Sequence, residues 1–118
     1  MKTFEDERGI IEDLKVGKDW SVTYISFKKG AVRGNHFHKE TRQFDQLLSG
    51  RLLVVHENGN DKMQKEIVAG EIVGHFPNDK HAYKALEDSE MISMCFGKRV
   101  GENYEEDTFR LLESEKLL

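Results

Sequence analysis

Residues 30–50 read GAVRGNHFHKETRQFDQLLSG, and most of what the chain indicates about function depends on this segment. His36 and His38 are separated by one residue, so on an extended strand both side chains project from the same face. Gln43 follows in the same segment, and His81 lies on another candidate strand far downstream. If these strands are neighbours, the four side chains converge on one small volume.

The overall composition limits the classes of function. A length of 118 residues predicts one domain, residues 1–118. The formal charge of -4, without a basic stripe, argues against nucleic acid as a partner. No stretch approaches the run of about 18 apolar residues that a membrane helix needs, and the first residues lack the apolar core of a secretory signal. We therefore expect a soluble, cytoplasmic protein without a membrane partner.

Cys95 is the single cysteine of the chain. A lone cysteine excludes an intrachain disulfide and a Cys-rich zinc site. It lies in the apolar run MISMCF, residues 91–96, so we expect a buried and inert thiol.

The chain consists mainly of short apolar or alternating runs separated by turn residues. Strands spaced in this way are typical of an antiparallel sandwich or barrel. Asn58-Gly59 gives the strongest hairpin signal, because these residues adopt positive φ at low cost. Besides the histidine segment, candidate strands occupy residues 10–14, 20–27, 43–48, 51–56, 63–68, 71–76, 81–86 and 91–96.

The C-terminal residues 104–118 differ in character from the rest. They fit a short helix with Asp107 or Thr108 as its N-cap, and they also fit a final strand followed by an irregular end. We favour the helix and keep the strand as the alternative.

The spacing of the histidine segment resembles the first motif of the cupin superfamily. Gly30 is followed after five residues by His36-Phe37-His38, after four more by Gln43, and after six more by Gly50. Glutamine stands where that motif usually carries glutamate. Residues 70–81 resemble the second cupin motif, with the glycine-to-histidine separation kept. The resemblance implies an all-β, cupin-type double-stranded β-helix, which is an antiparallel jelly-roll barrel.

A narrower resemblance extends to both ends of the chain. The segments DERG (6–9), RGNHFHK (33–39), LSG (48–50) and YEEDT (104–108) are similar to small cupins of sugar-nucleotide metabolism. These include dTDP-4-oxo-6-deoxyglucose 3,4-ketoisomerases and the cupin domain of capsular-polysaccharide reductases. The resemblance implies an isomerase or epimerase of polysaccharide biosynthesis that acts on a nucleoside-diphosphate keto-sugar, usually as a homodimer. We expect Trp20 to lie in the core or in the dimer interface.

The same side chains also predict a metal site. Three imidazoles, from His36, His38 and His81, with an oxygen from Gln43, make a plausible ligand set for a divalent transition metal such as Zn, Fe, Ni or Mn. A neutral amide leaves more positive charge on the site than a carboxylate, so we expect a lower affinity. Glu40 could supply the missing charge if the strand stays extended. Otherwise the histidines line a polar pocket without a cofactor.

Proton transfer is the alternative chemistry for this pocket. The resemblance implies that His36 or His38 acts as the general base on the keto-sugar, and a neutral histidine suits that role. Tyr24 and Tyr83 are the candidate acids, although both could simply pack in the core with a satisfied hydroxyl.

The diphosphate of such a substrate requires cations. Arg33 has a planar guanidinium that suits phosphate oxygens, and Lys39 and Arg51 could assist. His56 and His75 are weaker candidates for the site. We expect His56 to be exposed at a hairpin, and Pro77 leaves the direction of His75 undetermined.

Three classes of function follow from these patterns. The first is a ketoisomerase or epimerase of sugar nucleotides. The second is a metal-dependent cupin enzyme of other chemistry, such as an oxygenase. The third is a non-catalytic sugar-binding or regulatory cupin.

Overall fold

The computed structural model describes residues 3–97 and 106–118, and this part of the chain forms eleven strands. They are β1 Thr3–Asp6, β2 Gly9–Val16, β3 Trp20–Phe27, β4 Val32–Phe37, β5 Arg42–Ser49, β6 Arg51–Asn58, β7 Asp61–Val68, β8 Ile72–His75, β9 Lys80–Ala85, β10 Ser89–Phe96 and β11 Phe109–Arg110. A three-residue 3-10 helix follows at Glu113–Glu115. Tyr104 lies outside the described residues.

The strands form two antiparallel sheets that face each other. Sheet A has the order β1-β2-β3-β10-β5-β8, and sheet B has the order β11-β4-β9-β6-β7. The turn at Gly50 joins β5 in sheet A to β6 in sheet B. A Cβ at Gly50 would lie 2.4 Å from the carbonyl oxygen of Asp88, and φ is +86°, so glycine is required at this crossing. The all-β barrel predicted from the sequence is confirmed.

Cross-strand pairing groups the inward-facing side chains into layers, because directly opposite residues point to the same side of a sheet. The layer at one end of the barrel contains His36, His81, His56, Gln43, His75 and Cys95. The next layer contains Arg33, Tyr83, Val54, Asp45, Val73 and Ser93. Further along the barrel, the buried side chains are Leu47, Leu52, Ile67, Ala85 and Met91. The barrel is therefore apolar at one end and polar at the other.

Most of the expected local features are present. The hairpin at Asn58-Gly59 joins β6 to β7, with Asn58 paired to Asp61. Cys95 is buried, and burial, aided by the nearby Asp45 charge, raises its pKa to about 12, so the thiol is unreactive. Among the residues that the structure describes, no helix has the length and apolar character needed to cross a membrane.

The C-terminal segment differs from the favoured prediction. The helix capped by Asp107 or Thr108 does not form; β11 instead pairs with β4, where Phe109 lies opposite Phe37. The two rings stack with their centroids 5.4 Å apart. The helix prediction was wrong because tertiary pairing outweighed the weak local preference of these residues. The alternative, a final strand, is what the structure contains.

Asp107 attaches this segment to the loop between β4 and β5. Its carboxylate accepts hydrogen bonds from the backbone N–H groups of Lys39, Glu40 and Thr41 at 2.9, 3.0 and 2.9 Å, and from Thr41 Oγ1 at 2.7 Å. Burial disfavours the charged carboxylate, but the donors from Thr41, Lys39 and Glu40 outweigh it and lower the pKa of Asp107. The loop that follows the histidines is therefore fixed by a charged acceptor.

We predict that Asp107→Asn lowers the free energy of unfolding by about 2 kcal/mol, because hydrogen bonds to a charged acceptor contribute about 1.5–3 kcal/mol and the new amide N–H₂ would face donors. Urea unfolding followed by circular dichroism measures the change. The exposed Asp19 offers the matched control, since Asp19→Asn should change stability by less than about 0.5 kcal/mol. Equal stability of the two variants would contradict the role given to Asp107.

Candidate metal centre

Three histidines meet at the polar end of the barrel. β4 pairs with β9 so that His36 lies directly opposite His81, and His38 follows two residues later on the same side. The ring centroid of His36 lies 5.0 Å from that of His38 and 4.7 Å from that of His81. One ring nitrogen of each histidine lies within 4.8 Å of the other two. Three of the four side chains that were expected to converge therefore lie together.

A bulge in β4 sets the direction of these side chains. The register shifts between Gly34 and His36, and Asn35 adopts a positive φ of 57°. A Cβ on Gly34, whose φ is +91°, would lie 2.9 Å from the carbonyl oxygen of His81. The extra residue lets Arg33 and His36 both face the barrel interior, whereas simple alternation would place them on opposite faces.

Two of the rings are oriented by backbone carbonyls. His38 Nδ1 lies 2.8 Å from the carbonyl oxygen of Asp107, and His81 Nδ1 lies 3.0 Å from that of Asp79. A carbonyl only accepts, so each Nδ1 donates its proton, and the neutral ring keeps a lone pair on Nε2. This arrangement is the usual support of a metal-binding histidine.

The Nε2 atom of His81 is buried and has no hydrogen-bond partner. An unsatisfied buried polar atom is costly, roughly 1–3 kcal/mol, so a group or ion bound to it would stabilise the site. Burial is the main reason that the pKa of His36 falls to about 3, with nearby positive groups adding to it. Burial likewise lowers the pKa of His81. Both rings are therefore neutral at neutral pH, as a metal ligand must be.

Gln43 contributes an oxygen to the same volume. Its Oε1 lies 3.2 Å from His38 Nε2, while its Nε2 donates to both carboxylate oxygens of Asp45, at 3.0 and 2.8 Å. The three imidazoles and this amide oxygen are of the donor types that suit a divalent transition metal. The residues present thus fit such an ion.

Glu40, the alternative source of charge, is exposed in the loop after β4, and its backbone N–H binds Asp107.

Tyr83 lies in the second layer. Its hydroxyl donates to Asp45, and His75 Nε2 lies 2.6 Å from the hydroxyl oxygen of Tyr83. Burial and the Asp45 charge raise the pKa of Tyr83 well above its usual value. Tyr24 lies on the outer face of sheet A, where its hydroxyl donates to Glu90. That hydrogen bond, with partial burial, raises the pKa of Tyr24 to about 12. The structure does not bring Tyr24 to the histidines.

The three predicted cations are widely separated. Arg33 is buried beside Phe27, with its guanidinium carbon 5.4 Å from the ring centroid. Lys39 is exposed and its ammonium lies 4.3 Å from the ring centroid of Phe109. Arg51 begins β6, at the opposite end of that strand from the histidine layer, and forms surface ion pairs with glutamates. Of these three, Arg33 alone points into the barrel.

Arg33 is incompletely satisfied where it is buried. Its Nη2 donates to the carbonyl oxygen of Ser26 at 3.1 Å, but Nε and Nη1 have no hydrogen-bond partner. Burial, with repulsion from Arg8, lowers its pKa. A buried guanidinium with two unsatisfied nitrogens is suited to an anionic group of a ligand.

Sequence reasoning missed Asp45, which belongs to a buried polar group beneath the metal candidates. His56 is not exposed as expected; its Nδ1 lies 3.3 Å from His75 Nδ1, and its Nε2 lies 3.1 Å from Asp79. His75 is buried, and its ring stacks on that of His81 at 4.1 Å. Asp45 is fully buried. Its position two residues after Gln43 on one strand was the signal that could have identified it.

A comparison with protein-family models gives no match, and a sequence comparison with curated proteins gives none either. Solved structures do match. CapF crystallised with the inhibitor 3-isopropenyl-tropolone superposes with a TM-score of 0.76 at 20% identity, over 93% of this chain and 34% of that chain. The capsular polysaccharide assembling protein CapF from Staphylococcus aureus gives a TM-score of 0.73 at 22% identity, over 93% and 32%.

A second group of similar structures is the oxalate decarboxylase of Bacillus subtilis. The structure described for its Mn(II) centres gives a TM-score of 0.80 at 15% identity, over 93% of this chain and 30% of that chain. The chain therefore spans about a third of the length of the structures that it matches. CapF and oxalate decarboxylase are both cupins, and the fold of this chain is the cupin fold.

Proposed function

We propose that this chain is a metal-binding cupin that holds one divalent transition metal ion between His36, His38, His81 and the amide oxygen of Gln43. One observation carries the proposal: the nitrogens of three histidines converge, and the Nε2 of His81 is buried without a partner. A bound ion would act as a Lewis acid on an oxygen atom of a small molecule. The Mn(II) centres described for oxalate decarboxylase agree with a metal ion in this fold.

Arg33 supplies the expected recognition of an anionic ligand. It faces the same interior as His36 and retains two buried donors without partners. Carboxylate and phosphate oxygens match a guanidinium in charge and geometry. The proposed ligand class is therefore a small oxyanion or a molecule that carries one. Lys39 and Arg51 are not part of this proposal, because they lie elsewhere on the surface.

The sugar-nucleotide isomerase expected from the resemblance is the second candidate. The buried Arg33 and the structural similarity to CapF favour it. However, His36, whose pKa falls to about 3, is a weak general base at neutral pH, so His38 is the base that this candidate would need. Of the two predicted acids, Tyr24 lies outside the barrel and the Tyr83 hydroxyl is engaged by Asp45. The metal-binding proposal therefore has the stronger support.

A homodimer through the outer face of sheet A completes the proposal. This face carries exposed large apolar side chains on β3, β5, β8 and β10, and such a patch is typical of a protein–protein interface. The exposed members are Trp20, Leu48, Ile72 and Phe96, with Phe76 just after β8. A second copy of the chain is the expected partner.

We predict that the metal-free protein binds about one equivalent of Mn²⁺, Zn²⁺ or Co²⁺, and that His81→Ala reduces the affinity by at least about 100-fold, because a ligand and its support are both lost. Competition with a coloured chelator measures the affinity. His56→Ala is the matched control, since His56 is an interior histidine outside the ligand set, and it should retain the affinity. Failure of the wild-type protein to bind any of these ions would refute the proposed function.

We predict that Arg33→Met leaves the free energy of unfolding within about 1 kcal/mol of wild type or raises it, because a buried and unpaired charge is replaced by an apolar side chain. The same change should abolish the rise in melting temperature that oxalate, phosphate, or dTDP- and UDP-sugars produce. A loss of several kcal/mol with unchanged ligand response would make Arg33 a structural residue. A shift caused by sugar nucleotides, with turnover, would favour the isomerase; a shift without turnover would favour a binding protein.

We predict that the protein is dimeric in solution and that Phe76→Arg converts it to a monomer, because a charge would be buried in the interface. Light scattering coupled to size-exclusion chromatography measures the mass. Leu112→Arg is the control, since Leu112 is an exposed apolar residue on the C-terminal segment, and it should leave the dimer intact. A monomeric wild-type protein would refute this interface.

A further inference from the structure

The Gln43 side chain lies between two polar groups. On one side is the Asp45 carboxylate, and on the other is His38 Nε2. An amide can present either N–H₂ or its oxygen to a neighbour, so the neighbours decide its orientation. If the amide turned over, its oxygen would face the carboxylate and the lone pairs would repel. Asp45 therefore holds the amide with Nε2 inward and Oε1 toward the histidines.

Asp45 is a suitable anchor because the side chains around it are donors. The Tyr83 hydroxyl donates a hydrogen bond to Asp45 Oδ2, and His75 Nε2 lies 3.5 Å from Asp45 Oδ2. Ser93 lies directly opposite Asp45 in the same layer. A fully buried carboxylate surrounded by donors is an acceptor only. The charged carboxylate is therefore the preferred partner of the Gln43 N–H₂ group, and this sets the orientation of the amide.

The orientation places the amide oxygen of Gln43 beside a ring nitrogen of His38. His38 Nδ1 donates to the Asp107 carbonyl, and His38 Nε2 lies 3.2 Å from Gln43 Oε1. An imidazole nitrogen and an amide oxygen are both donor types that suit a divalent transition metal, so a bound ion would be held by both residues.

The carboxylate also explains why an amide is tolerated at this position. Asp45 lies two residues after Gln43 on the same face of β5, so one negative charge remains adjacent to the site although the ligand itself is neutral. A glutamate at position 43 would place a second carboxylate against the first in a buried layer, and like charges at that distance are unfavourable. Because the Gln43 N–H₂ group donates to an anion, the electron density on the amide oxygen also rises.

We propose that Asp45 is the positioning residue that makes Gln43 a metal ligand: it fixes the amide oxygen toward the three histidines and supplies the negative charge that the ligand lacks. The inference rests on the proposed function, because it concerns the same ion. It assigns to the pair Gln43–Asp45 the role that a single carboxylate would otherwise have.

The test compares metal affinity in four proteins: wild type, Asp45→Asn, Gln43→Glu with Asp45→Asn, and Tyr83→Phe. Asp45→Asn should weaken binding of Co²⁺ and Zn²⁺ by about 10- to 100-fold, as is usual when the support of a ligand is lost, and should change the visible spectrum of bound Co²⁺. The double variant, which moves the carboxylate to position 43, should restore the affinity to within about threefold of wild type or better.

Tyr83→Phe is the matched control. It removes a different partner of Asp45 without touching Gln43, so the affinity should stay within about threefold of wild type even if the melting temperature falls. A loss equal to that of Asp45→Asn would show that general packing, and not the amide orientation, sets the affinity. Unchanged affinity in Asp45→Asn would overturn the inference while leaving the metal site intact. No binding by wild type would instead refute the proposed function.

Gln43→Glu alone decides the matter if Asp45→Asn does not fold. With Asp45 present, the melting temperature of the metal-free protein should fall by several degrees, since two carboxylates share one layer, and the double variant should recover it. An unchanged melting temperature in Gln43→Glu would overturn the inference.

Discussion

The antiparallel pairing of β4 with β9 determines the candidate site, because it sets His36 opposite His81. A shift of one residue would turn every side chain of β4 to the other face of the sheet. The bulge at Gly34 and Asn35 adds a second constraint, since it brings Arg33 to the same interior. The ligand candidates and the buried cation therefore depend on one register and one irregularity within a single strand.

Buried polar groups at the polar end of the barrel form hydrogen bonds with complementary partners, with a few exceptions. Backbone carbonyls hold two histidines by their Nδ1 atoms, and Asp45 collects donors from Gln43 and Tyr83. The exceptions are informative because buried polar atoms are normally satisfied. His81 Nε2 and two nitrogens of Arg33 lack partners, and they are the atoms that a cation and an anion, respectively, would satisfy.

The C-terminal segment connects this chemistry to the rest of the fold. One residue, Asp107, binds the loop after the histidines through its carboxylate and orients His38 through its backbone carbonyl. Asn35, within the bulge, accepts hydrogen bonds from the backbone of Leu117 and Leu118. The segment thus fixes both the bulge and the neighbouring ring, so its contribution to the site is positional. A helix in its place would have offered neither contact in this form.

The amino-acid sequence by itself determined the features that depend on local periodicity and spacing. The short alternating strands and the turn at Asn58-Gly59 predicted the barrel, and the spacing of His36, His38 and Gln43 predicted their common direction. Tertiary structure decided the rest, because it depends on which strands become neighbours. Asp45 and His75 are separated by 29 intervening residues in the chain, yet β5 pairs with β8 and brings them together. Tyr24 carries the same chemical group as Tyr83, but strand parity places one outside the barrel and the other inside. Local sequence gives the faces of a strand, whereas only the packing of the two sheets decides which face becomes the interior.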